Sequence, residues 1–215
     1  MRVPNRHSQS QAELIADGIV HGVGVAAGLV GTSILLSVAA RDGGTRQVVV
    51  AGVYAFGLLT MLSCSAAYNV LRGNPHRGVL RELDHIAIYV MIAGTYTPFL
   101  TQLKGMWAVA LTSTMWGLAV TGIFLKLLRP NLIEAVSVAL YLALGWIGTI
   151  AFWPLAETLE PTTLMLLAIG GVMYSVGVVF HVLEKIPFSN AIWHAFVLSA
   201  ALVHYVAVID TVRAK

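Results

Sequence analysis

Residues 162–183, TTLMLLAIGGVMYSVGVVFHVL, contain no lysine, arginine, aspartate or glutamate and are long enough to cross a bilayer as one helix. Six further stretches of the same kind bracket them, giving spans at about residues 18–40, 48–71, 85–103, 105–125, 135–156, 162–183 and 186–209. The expected fold class is therefore all-α, an integral membrane bundle of seven transmembrane helices. At 58% hydrophobic and 11% charged, the 215 residues hold too few polar side chains to cover a soluble surface.

The short connections leave no room for a second domain. Residues 1–17 read as a cytoplasmic N-terminal segment, 18–210 as the membrane domain and 211–215 as a short tail outside. The polar start, mixed in charge, does not read as a cleaved secretion signal and is expected to remain. Ser10 and Glu13 have capping-box spacing, so the first helix is expected to begin near Ser10. Cys64, the single cysteine, is read as a packed thiol.

Orientation follows from the basic residues. With the N-terminus inside, the inner segments hold Arg2, Arg6, Arg72, Arg77, Arg81, Lys126, Arg129 and Lys185, against Arg41, Arg46, Lys104, Arg213 and Lys215 outside. This excess predicts a multi-pass protein of the cell (inner) membrane with a cytoplasmic N-terminus and an outer C-terminus. No basic run interleaved with aromatics suggests nucleic-acid binding, and membrane lipids are the expected partners, with a lipid ligand as a possible further one.

Ionisable groups are costly in a membrane and usually face a bundle interior or cavity. Threaded through this topology, Glu13, Asp17 and His21 share one face of the first helix, and Ser65 and Asn69 lie one turn apart at the end of the second. Asp84 and His85 open the third span. His181 closes the sixth, and Asn190 and His194 lie one turn apart at the start of the seventh. These residues form the candidate polar cluster, with His194 as its candidate metal ligand, and no catalytic residue is assigned. His204 is expected in a deeper, separate layer. Gly18-xxx-Gly22 and Gly24-xxx-Gly28 are read as close-packing sites, and Trp107, Trp153 and Tyr205 as interface anchors.

The same residues carry a resemblance. Glu13…Asp17…His21-Gly22, the run Ser65-Ala66-Ala67-Tyr68-Asn69, Leu83-Asp84-His85-Ile86-Ala87-Ile88-Tyr89, Ile92-Ala93-Gly94-Thr95-Tyr96-Thr97-Pro98-Phe99 and Glu184-Lys185-Ile186-Pro187-Phe188 leading to Asn190-Ala191-Ile192-Trp193-His194 resemble the hemolysin III family. That family is the bacterial branch of the progestin and adiponectin receptor superfamily. The resemblance implies seven helices, an inside N-terminus, and zinc held by Ser-xxx-His on the second helix and His-xxx-His on the seventh, beside the aspartate at Asp84. Here Asn69 and Asn190 replace two of the three histidines, and asparagine is a poor zinc ligand. No cofactor is expected, zinc being the one candidate, with replacement ligands from His21, His85 or His181. A network in which Asn69 and Asn190 bond each other, Asp84 or Ser65 is expected instead.

Three functions are implied. The favoured one is a non-enzymatic sensor or regulator of membrane state, consistent with the family's association with membrane energetic homeostasis. The alternative is a metal-dependent, ceramidase-like lipid amide hydrolase. Cytolytic pore formation, after the family's historical name, or transport is a further alternative. The charge distribution makes one direct prediction: a reporter fused after Lys215 is active outside the cytoplasm and inactive within it, and a cytoplasmic reporter signal would overturn the assigned orientation.

Overall fold

The computed structural model describes residues 9–128, 134–183 and 185–213, without the side chains of 134 and 135. All regular elements among them are helices: α1 Gln11–Val38, α2 Thr45–Val70, α3 Arg77–Leu100, α4 Met106–Leu128, α5 Glu134–Gly145, α6 Phe152–Ala156, α7 Pro161–Val182 and α8 Ser189–Arg213. The protein is an all-α membrane bundle. Five helices, α1, α2, α4, α7 and α8, are long and apolar enough to cross a membrane on their own, with mean hydropathies from 1.7 to 2.1. Their outward surface is also apolar; Phe56 and Val109 are 63% and 70% exposed, as lipid-facing side chains would be.

The two remaining expected spans differ from their sequence reading. The third helix starts at Arg77, not at residue 85, because the polar turn Arg77–Asp84 continues the helix. Asp84 therefore sits two turns inside α3. The fifth stretch is not one helix: α5 ends at Gly145, a 3₁₀ turn covers Ile147–Thr149, and α6 is a short piece. A break exposes backbone groups that lipid cannot satisfy. Tyr96 of α3 covers them, its hydroxyl donating to the Gly145 carbonyl and accepting from the Gly148 N–H at 3.2 Å.

Local chemistry sets the other ends. Ser10 caps α1, its Oγ accepting from the Glu13 N–H at 3.3 Å while the Glu13 carboxylate accepts from the Ser10 N–H at 2.7 Å. This is the expected capping box. α1 then widens into a π-helical turn, Ala39–Gly43, and Gly44 at φ 67° turns the chain into α2. Pro161 stands in the first turn of α7, where its missing N–H costs nothing.

The helix ends sort onto two faces. On the face where α1 starts, Glu13 meets Phe188 just before α8, and Lys126 at the end of α4 lies 3.9 Å from Glu82 near the start of α3. On the other face, the Arg46 guanidinium at the start of α2 donates to the Thr101 carbonyl after α3.

Small residues let the helices touch. A Cβ at Gly24 would stand 3.4 Å from both Leu62 and Leu198 and one at Gly28 only 2.6 Å from Leu62, so this pair behaves as expected. Gly18 and Gly22 have nothing within 4 Å of a built Cβ and serve no packing role within the chain. Tyr205 is not an interface anchor either. Its hydroxyl donates to the Gly31 carbonyl at 2.9 Å and ties α8 to α1. Trp107 and Trp153 do stand outward, at 58% and 73% exposure. Cys64 packs half-buried against the core.

Backbones approach closely between α2 and α3, where a Cβ on Gly57 would stand 3.1 Å from the Val90 carbonyl oxygen and 3.3 Å from the Met91 Cα. Backbone cannot move aside as a flexible side chain can. Gly57→Val should destabilise the bundle by about 1–3 kcal/mol in detergent unfolding, whereas Gly52→Val, with nothing within 4 Å of its Cβ, should stay within about 0.5 kcal/mol. Equal tolerance would refute the close α2–α3 contact.

Candidate functional site

Glu13, Asp17 and His21 fall every fourth residue on α1, and all three are buried despite their polarity. The helical period that aligns them continues through Gly24 and Gly28, so the face that carries the charges also packs closest to α2 and α8.

Asp17 is the centre. It is 2% exposed, and its Oδ1 forms a 2.6 Å hydrogen bond with Nδ1 of His194 on α8. His21 Nε2 stands 3.7 Å from the same oxygen, and the His21 and His194 rings lie 4.4 Å apart at a tilt of 55°. The Arg72 guanidinium, from the turn after α2, lies 3.6 Å from Oδ2. A buried carboxylate needs such company, since desolvating an unpaired charge costs several kcal/mol (about). Arg72 is itself held by the Asn69 carbonyl, to which its Nε donates at 2.9 Å, and by the Gln9 side-chain oxygen.

Glu13 makes a second link between the two ends of the chain. Besides its capping role, its Oε1 accepts from the Phe188 N–H at 2.8 Å. Phe188 adopts φ 61°, the left-handed region that a bulky residue avoids. The Glu13 bond holds this turn at the entry to α8, where Asn190 and His194 follow.

Behind these residues opens a cavity of about 640 Å³. Glu13, His21, Ser65, Asn69, Asp84, His85, His181, Asn190 and His194 all line it, as does Arg72, whereas Asp17 sits behind its rim. The sequence-predicted cluster is thus brought to one cavity from five helices. Asp84 has Ser65, His181 and His194 as polar neighbours. His181 packs against Trp193 with ring centroids 5.3 Å apart, and the His85 carbonyl accepts from the Tyr141 hydroxyl at 3.3 Å.

The expected asparagine pair does not form. Asn69 Nδ2 donates to the Ser65 carbonyl one turn back, at 3.0 Å, and among the described residues no hydrogen bond joins it to Asn190. An amide can satisfy itself on its own helix backbone, so it needs no partner across the bundle. His204 lies deeper, as expected, its Nε2 3.2 Å from the Leu167 carbonyl oxygen and its ring 5.7 Å from Tyr174. It still borders the cavity, which therefore extends well past the polar end. Arg72 is the site residue that sequence reasoning missed; its charge looked like a topology signal, and only folding places it on Asp17. Glu184 lies outside the described residues.

Asp17, His21 and His194 each bring a ligand atom to within 4.8 Å of the other two, which makes them a possible metal-binding triad. As arranged, they do not fit zinc. Ligands at about 2.05 Å in a tetrahedron stand about 3.3 Å apart, so the 2.6 Å separation of Asp17 and His194 is that of a shared proton. The Arg72 guanidinium beside Asp17 also opposes a second cation there. The Asn69 amide spends its nitrogen on backbone.

The model of the family described as "Haemolysin-III related" matches residues 10–205 of this chain. The chain belongs to that family. Among its relatives, Hemolysin-3 homolog of Bacillus subtilis is 36% identical over 198 residues, covering 92% of this chain and 93% of that protein. Hemolysin-3 of Bacillus cereus is 35% identical over 205 residues, covering 95% and 94%. The relationship extends to the human Monocyte to macrophage differentiation factor, 30% identical over 171 residues, covering 75% and 70%. In this haemolysin-III-related chain the matched residues include every member of the cluster from Glu13 to His194.

Removing one partner of a buried ion network leaves the others uncompensated. Asp17→Ala should therefore cost about 3 kcal/mol or more of stability in detergent, and Asp84→Ala should also destabilise, while Glu157→Ala on the exposed end of α6 should fall within about 0.5 kcal/mol. Thermal unfolding of the three variants checks the ranking, and an Asp17 variant as stable as the parent would show that the network does not hold the bundle.

Proposed function

We propose that the chain is a non-enzymatic sensor or regulator of membrane state, in which an amphipathic cavity reads the bilayer and the Asp17–His194 contact is the lock. The observation that supports this most is the 2.6 Å bond itself, which joins the first and last helices at the cavity's polar end. Opening or closing that bond changes how α1 and α8 meet, and a ligand or proton arriving at His194 biases the two states. Seven membrane passes and a cytoplasmic N-terminus complete the reading. The count is supported by the relationship to a rice protein named Heptahelical transmembrane protein ADIPOR1, 29% identical over 192 residues. The excess of basic residues in the segments expected inside supports the orientation within the inner membrane.

A metal-dependent lipid amide hydrolase is the second reading, and the proximity of Asp17, His21 and His194 favours it. It requires the Asp17–His194 bond to open and Arg72 to withdraw. Nothing in the packed helices favours a released cytolytic segment.

The two readings separate on purified protein and in cells. Parent protein equilibrated with zinc should retain far less than one zinc per chain, whereas Asn69→His/Asn190→His, which restores imidazoles at the family positions, should gain zinc and thermal stability with it. In cells lacking the chain, the membrane potential read with a potential-sensitive dye should shift, parent protein should reverse the shift, and Asp17→Asn, present in the membrane at parental level, should not. One zinc per parent chain together with long-chain amide turnover that Asp17→Asn abolishes would overturn the non-enzymatic reading.

A further inference from the structure

The cavity wall contributed by α3 is a graded stripe. Arg77, Arg81, His85, Ile88, Ile92 and Tyr96 all line it, at helical spacing that carries one face about 28 Å along the axis. The stripe begins cationic, passes through one polar turn and ends apolar. Arg72, from the turn before α3, adds a third guanidinium at the same end of the cavity.

The three arginines differ in how their charge is used. Arg72 faces Asp17 and the oxygens of Gln9 and Asn69. Arg77 donates to the Tyr68 carbonyl at 3.0 Å and lies 4.5 Å over the Tyr68 ring, neither of which carries a negative charge. Arg81 is half-buried, and among the described residues it has no hydrogen bond or ion pair. The acids nearby are engaged elsewhere: Glu13 by the Ser10 and Phe188 amides, Asp17 by His194 and Arg72, and Asp84 among Ser65 and the histidines. Arg81 therefore offers a permanently protonated guanidinium with no carboxylate paired to it among the described residues, beside an apolar channel. A half-buried cation without a partner is unfavourable, and guanidinium matches the oxygens of phosphate in a bidentate fork.

We propose that this cavity binds an anionic phospholipid, its phosphate headgroup on Arg81 flanked by Arg77 and Arg72 and an acyl chain along Ile88 and Ile92. The volume of about 640 Å³ lies within the usual range for a small-molecule site. Free phosphate meets the cations alone; a neutral lipid meets only the stripe. The inference deepens the sensor reading and rests on it only for its consequence, since binding is measured without any cellular response.

Full-length protein in neutral detergent is titrated with lysophosphatidylglycerol brominated on its acyl chain, and quenching of Trp146 and Trp193, both in the cavity wall, reports occupancy. Quenching should saturate, and a monoacylglycerol with the same brominated chain, which lacks the phosphate, should bind at least about tenfold more weakly, the loss expected for one charge-assisted contact. Glycerol 3-phosphate should not compete. Arg81→Gln should lose about tenfold or more with parental thermal stability, Arg81→Lys should lose less, and Arg41→Gln on the opposite face should bind as the parent does. Equal binding of the lysolipid and the monoacylglycerol, or an Arg81→Gln variant that binds as tightly as the parent, would overturn the proposal. Competition by glycerol 3-phosphate at matching concentration would show an anion site without an acyl channel and overturn it equally. If binding holds but the Asp17→Asn complementation result goes the other way, the sensor reading fails alone.

Discussion

Everything at the polar end of this bundle depends on keeping one carboxylate, Asp17, charged and dry. At 2% exposure it cannot use water, so the structure must supply its partners. They come from three places in the sequence: His21 one turn on, Arg72 after α2, and His194 on α8. Meeting that requirement closes the bundle, because α1 and α8 can satisfy Asp17 only when packed side by side. Glycines 24 and 28 allow that approach, and Glu13 repeats the same closure one turn earlier through Phe188. The polar cluster is thus both a site and the fastening between the chain's two ends.

The helix break in the fifth stretch shows the same constraint applied to backbone. A single apolar helix there would need no outside help. The broken one draws on Tyr96, whose hydroxyl serves both the Gly145 carbonyl and the Gly148 N–H, and on the Trp146 indole, which donates to Ser175 at 3.0 Å. Both Tyr96 and Ser175 line the cavity, as do Gly145 and Gly148. Irregular backbone at membrane depth is tolerated where protein or a cavity receives it, so the break and the cavity imply one another. Gly170 fits the same pattern: it lies against His204, leaving that ring room to reach the Leu167 carbonyl.

Much of this was legible in the sequence, for identifiable reasons. Apolar runs bounded by charge mark the long helices because lipid admits little else, and the fourfold spacing of Glu13, Asp17 and His21 fixes their shared face. What sequence spacing does not carry is which side chains meet across helices. Asn69 and Asn190 read as partners of each other and of Asp84 or Ser65, and Asn69 takes the Ser65 carbonyl, one turn back on its own helix. Asp84 carries the more prominent motif, yet it is Asp17 that meets His21, Arg72 and His194. The break at Gly145–Ile150 leaves little trace, since its residues are as apolar as those of a continuous helix. Arg72 and Arg81 look like topology markers, and their second role depends on where the turn after α2 and the first turns of α3 come to rest.

The two asparagines and Arg72 can be understood together as a problem of charge. A histidine set holding a divalent cation beside Asp17 would place that cation within a few ångströms of the Arg72 guanidinium, which lies 3.6 Å from the carboxylate, and the two would repel strongly at low dielectric. Asparagines at 69 and 190 bring no such cation. With them, the arginine alone can balance Asp17, His194 can spend its Nδ1 on the same carboxylate, and the guanidinium can also close the end of α2 through the Asn69 carbonyl. Replacing imidazole by amide therefore does more than remove ligands. It makes room for a cation that belongs to the chain itself, and it leaves the neighbouring guanidinium of Arg81 as the positive group still facing the cavity.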